Sequence, residues 1–177
     1  MIAFLSLPSP LHPAVVHFPI VLLLLGTVVS LAAAFAPRWR LPLITAVLIG
    51  LGAIGTVVAL QTGERDGELI KETPALEQVL EQHEEWAERT EIAAIIAGLL
   101  ALGAVFTMRW PAVARGLNVV TAVGAIAATW CVVETGHYGG QLVYQHGAGV
   151  SATNAGGERL PAAQPGREGK RQHRDND

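Results

Sequence analysis

Histidine is the residue in this chain best placed to do chemistry. Five of the six histidines stand at the ends of apolar segments: His12 and His17 open the first, His83 precedes the third, and His137 and His146 follow the fourth. A neutral imidazole offers a nitrogen lone pair to haem iron, zinc or copper, whereas calcium and magnesium sites are built from oxygens. Cys131, the single cysteine, lies inside an apolar run, so one chain forms neither a disulfide framework nor a thiolate metal site. Met1 and Met108 are remote from the histidines, which leaves copper without thioether ligands.

Each histidine also has a plainer use. His12, before Pro13, can cap a helix, and His17 can spend a nitrogen on a neighbouring carbonyl. His83 can be a satisfied core residue, and His137 and His146 stand beside turn glycines. What argues for a shared ligand is position, and position depends on the elements that carry the rings.

Four apolar stretches, 14–36, 41–61, 92–108 and 113–133, are about long enough to cross a bilayer as helices, which takes roughly 20 residues. Pro13 suits a first helical turn, Pro37 and Pro42 bracket the first connection, and Pro111 breaks the third, so both connections are tight hairpins. The first run is too long for a signal-peptide core and has no basic leader, so Ala34-Phe35-Ala36 reads as membrane helix and not as a cleavage site. Arg38 and Arg40 lie in one hairpin and Arg109 and Arg115 in the other, while no Lys or Arg precedes His17. Basic connections stay in the cytoplasm, so in a bacterial inner membrane both termini face the periplasm, together with all five histidines. The basic residues of the tail oppose this, but the first, Arg159, lies more than 20 residues past the fourth span, where the rule is weak.

The second connection, residues 63–91, carries ten acidic and three basic residues. Thr73-Pro74 reads as an N-cap followed by a first-turn proline, so a helix should start there and run unbroken into the third span. Leu76, Val79, Leu80, His83, Trp86, Ala87, Thr90, Ala94 and Ala97 form its inward stripe; Glu77, Glu81, Glu84, Glu85 and Glu88 form a solvated face. On the second span, Gly52, Gly55, Thr56, Ala59 and Gly63 make a nearly flat face, suited to close helix packing or to a planar macrocycle. Ala93, Ala94, Ala97 and Gly98 offer a similar surface on the third. Gly139-Gly140 should end the fourth helix, leaving Leu142, Val143 and Tyr144 as a patch that folds over the bundle mouth.

Composition agrees with a membrane protein. The 177 residues are 51% hydrophobic with a net charge of −3, and their charges fall in a few windows. No basic patch with interleaved aromatics suggests a nucleic acid. GxSxG, HExxH and Walker motifs are all missing, so hydrolase or nucleotide chemistry has no support. The expected fold is an all-α four-transmembrane-helix bundle over residues 1–150 with the third helix extended outside the membrane, then a disordered tail, 151–177.

His12-Pro13-Ala14-Val15-Val16-His17-Phe18-Pro19 opening the first helix, His83 leading into the third, and Gly139-Gly140-Gln141-Leu142-Val143-Tyr144-Gln145-His146-Gly147 closing the fourth together resemble the bacterial membrane family called domain of unknown function 2231. The likeness covers roughly residues 11–150. It implies a four-helix inner-membrane bundle and marks His12, His17, His83 and His146 as the motif histidines. The acidic residue expected near the end of the second span is here Glu64 or Asp66.

Two functional readings follow. In the first, the histidines bind a b-type haem for electron transfer at the periplasmic face, with His17 and His83 as axial pair, His146 as substitute, and Arg89 or Tyr138 meeting the propionates. Glu134 would orient an imidazole. A zinc or copper ion on three or four histidines is the second form of this reading. In the other, the bundle binds no cofactor and anchors or assembles a membrane complex. Neither reading makes the chain an enzyme; its partners are the lipid bilayer, a membrane or periplasmic redox protein, and a second copy of itself.

Overall fold

The computed structural model describes residues 11–35, 40–68 and 73–148. It is helical throughout: α1 (His12–Val15), α2 (His17–Phe35), α3 (Arg40–Gly67), α4 (Pro74–Phe106) and α5 (Pro111–Tyr144). The helices from α2 on are each long and apolar enough to cross a membrane, α1 extending the first span. The tail expected from residue 151 and the loop holding Arg38 lie outside the described residues.

Proline placement explains several boundaries. Pro19 has no N–H for the carbonyl of Val15, so the helical hydrogen bonding lapses at Val16, which keeps helical φ and ψ, and this divides the first span into α1 and α2. Thr73 caps α4 by accepting the N–H of Leu76 at 3.4 Å, and Pro74 follows in the first turn. From there α4 runs unbroken past residue 91 into its apolar part.

One expected boundary is corrected. Gly139-Gly140 does not end the last helix: α5 continues to Tyr144, and the left-handed residue is Gly147, at φ 65°. A helical Gly costs only about 1 kcal/mol relative to Ala, which packing can offset, and Gly139 is packed against His83. Leu142, Val143 and Tyr144 therefore form the last turn of α5 and not a folded-back patch. Leu142 is buried there and Tyr144 exposed.

The core is thin and built from small residues. Leu23, Ile49, Ala53, Ala94, Ala97 and Ala125 form one buried cluster across α2 to α5. The larger apolar side chains point outward, including Phe18, Val28, Ile54, Leu99 and Val123, as suits helices solvated by lipid. Trp110, the N-cap of α5, and Trp130 within it are both exposed, and Arg109 lies over the Trp110 ring at 3.9 Å. The flat face of α3 serves packing: a Cβ at Gly52 would lie 2.9 Å from Leu23 and one at Gly55 3.1 Å from Pro19. Those glycines fix the antiparallel register of α2 on α3. The same register continues to Gly63, where the neighbour is His12.

Candidate functional site: an imidazole pair at one mouth of the bundle

The α1 end of the bundle brings together His12 and His83. Their ring centroids are 6.2 Å apart and their planes cross at 86°. His12 donates through Nδ1 to the carbonyl of Ala59 on α3 at 2.8 Å, and His83 donates through Nδ1 to the carbonyl of Thr135 on α5 at 2.9 Å. A carbonyl has no proton to give, so each Nδ1 carries a hydrogen, and in the neutral ring the lone pair is then on Nε2. Among the described residues, neither Nε2 has a hydrogen-bond partner.

His12 is held a second time through its backbone. Its N–H, one of the donors a helix start leaves unpaired, reaches Oδ2 of Asp66 at 2.8 Å. Of the two acidic residues near the end of the second span, Glu64 and Asp66, it is Asp66 that makes this bond. It caps α1 from another helix, because Leu11 at the N-cap offers no side-chain bond.

His83 stands in the acidic first part of α4, nine residues before the apolar stretch. Burial there pushes its pKa below the ordinary 6.5; the bond to Thr135 opposes the shift, and nearby His12 adds to it. Burial thus favours the neutral ring. Thr90, two turns on, meets the Thr135 hydroxyl at 3.0 Å, which ties α4 to α5 just below the pair.

A cavity of about 360 Å³ opens beside the rings, within the range of small-ligand sites. Its wall is mainly apolar, with Val16, Ile20, Leu60, Leu80, Val132 and Leu142 among its residues, and it also carries the carboxylates of Glu64, Asp66 and Glu84. No lysine or arginine is among its described lining residues.

The other three histidines stand apart from this contact. His17 is exposed and spends Nδ1 on the carbonyl of Pro13, one turn back, at 2.7 Å. His137 is exposed, stacks edge-on with Tyr138, and accepts from the Gln141 amide at 2.8 Å. His146 is exposed beyond the end of α5. Arg89, one residue expected to meet propionates, pairs with Glu85 and lies over Trp86. The group orienting His83 is the backbone of Thr135, the neighbour of Glu134. Among the described residues no three His, Cys, Asp or Glu side chains gather to hold a metal ion.

The sequence pairs His83 with His17 as readily as with His12, and helix geometry says only that the two compete for one place. Five residues of helix turn a side chain by roughly 140°, so His12 and His17 cannot share a face. What no periodicity reveals is which carbonyl each ring would find.

The fold and this mouth define the chain as a helical membrane protein with an imidazole pair beside an apolar cavity. A family model described as predicted membrane protein, DUF2231, matches residues 8–152, and the chain belongs to that family. No curated protein and no solved structure matches it.

Proposed function

We propose that His12 and His83 are the axial ligands of a b-type haem and that the protein passes electrons through it. One observation carries this reading: both imidazoles are locked by a backbone carbonyl at Nδ1, with Nε2 left unpaired beside an apolar cavity. Ligating histidines are oriented in this way, with the second N–H donated to a carbonyl or carboxylate. The spacing of the rings agrees. Two imidazoles bound through Nε2 at about 2 Å to opposite sides of one ion place their centroids roughly 6 Å apart, and a tetrahedral ion would bring them to about 5 Å; here they are 6.2 Å apart.

A bare zinc ion is held by three or four protein ligands, whereas iron in a macrocycle needs only two. Held by His12 and His83, a haem would supply one-electron transfer and not oxygen activation. The wall carboxylates would lower the potential of a bound iron by stabilising its oxidised state.

We further infer a bacterial inner-membrane location with this mouth toward the periplasm, because Arg40, Arg109 and Arg115 lie at the opposite end of the bundle. The test is the visible spectrum of the full chain purified in detergent from haem-supplied cells. A Soret band is expected in the wild type, lost in His12→Ala and in His83→Ala, and kept in His17→Ala and His137→Ala. A wild type with neither Soret band nor stoichiometric metal would refute the reading and leave the bundle as an anchor or assembly partner.

A further inference from the structure

The two imidazoles sit in seats of the same construction on different helical hairpins. His12 bonds the carbonyl of Ala59; four residues on, a Cβ at Gly63 would lie 3.0 Å from its Cε1 and 3.1 Å from its Nδ1. His83 bonds the carbonyl of Thr135; four residues on, a Cβ at Gly139 would lie 3.1 Å from its Cε1 and 3.4 Å from its Nδ1. Gly136 and Gly140, on the same stretch of α5, meet nothing within 4 Å.

Helix geometry gives the reason for the shared spacing. The carbonyl of residue i already accepts the N–H of residue i+4, and the Cβ of residue i+4 tilts back toward the N-terminus, over that carbonyl. At both seats a Cβ on residue i+4 would stand only 3.0–3.4 Å from the ring atoms Cε1 and Nδ1, so a residue without a side chain leaves the imidazole room to reach the carbonyl. Each glycine therefore opens one carbonyl to one imidazole.

We infer that Gly63 and Gly139 are positioning residues: each holds its histidine as the Nδ1–H tautomer and so presents an Nε2 lone pair to the cavity. The inference deepens the haem reading, on which its functional meaning rests, by identifying the paired notches that make both rings ready to ligate before any ligand arrives. It also makes the site two matched halves, one from α1–α3 and one from α4–α5.

The test is imidazole ¹⁵N NMR on the full chain in detergent, expressed in a haem-deficient host and verified metal-free. In the wild type His12 and His83 should each appear as a single Nδ1–H tautomer. Gly63→Ala should convert His12 to a mixture containing Nε2–H and leave His83 unchanged, and Gly139→Ala should do the reverse. Gly140→Ala should alter neither ring. An Nε2–H tautomer at either ring of the wild type overturns the inference, and that spectrum needs no variant to fold. Unchanged tautomers in both folded glycine variants overturn it as well. A missing Soret band with these tautomer shifts present would remove the haem and leave the notches standing.

Discussion

Removing the Asp66 carboxylate should release α1 and, with it, one of the two rings. This helix is four residues long, has no buried residue, and receives no side-chain cap from its own segment. Apart from its backbone bonds and the His17 ring on the carbonyl of Pro13, what ties it to α3 are the ring bond to Ala59 and the bond from the His12 N–H to Asp66, 2.8 Å long and half-buried. A hydrogen bond to a charged group is worth about 1.5–3 kcal/mol, and partial exposure argues for the lower part of that range. At about 1.5–2 kcal/mol, Asp66→Ala raises the undocked population of α1 by roughly 10- to 30-fold. Asp66→Asn keeps an acceptor but loses the charge, so about half of the effect is expected, a few-fold change. Hydrogen exchange at the His12 amide in the full chain reads this opening directly. Exchange should accelerate in the order wild type, Asn, Ala, with amides in the apolar part of α5 unchanged. An unchanged His12 amide in Asp66→Ala would refute the reasoning.

Three other perturbations test the bundle. A Cβ at Gly26 would lie 2.6 Å from Cγ1 of the fully buried Ile49. Overpacking of about 1–3 kcal/mol should exceed the roughly 1 kcal/mol helix gain, so Gly26→Ala should lower the midpoint of denaturant unfolding but raise it in an Ile49→Ala background. The Thr27 hydroxyl lies 3.1 Å from the Ala125 carbonyl and 2.8 Å from the Thr129 hydroxyl. Thr27→Val should therefore cost about 0.5–1.5 kcal/mol, with little added by Thr129→Val; equal additive losses would contradict the shared bond. Because the folded-state pKa of His83 lies below 6.5, the unfolded chain binds more protons as pH falls past 6.5, and stability is lost there. Thermal midpoints at pH 7.5 and 5.5 should differ more in the wild type than in His83→Gln, and equal differences would contradict the buried neutral ring.

Much of the frame was legible because it follows from single-helix physics. Length and apolarity located four spans, Thr73-Pro74 marked the start of α4, and spacings of three and four sorted its buried stripe from its glutamates. Gly139 shows where local rules fail: read alone it is a helix stop, but in the bundle it is a seat for a ring 56 positions earlier. The pairing of His12 with His83 depends on the register between helices. That register comes from Leu23 on Gly52, Pro19 on Gly55 and His12 on Gly63, contacts that no periodicity within one segment contains. The two notches share a carbonyl-to-glycine spacing of four, which is visible in the chain only once the rings are known to be there.

Two exposed tryptophans, one capping α5 and one within it, act as a depth gauge. Trp110 and Trp130 are 20 residues apart, about 30 Å of helix, which is the thickness of a bilayer's hydrocarbon, and tryptophan prefers the headgroup boundary. With one indole at each boundary, Thr135 and Gly139 stand clear of the acyl chains, and so does the ring they seat. Water and the solutes dissolved in it would then reach the mouth of the cavity without crossing lipid.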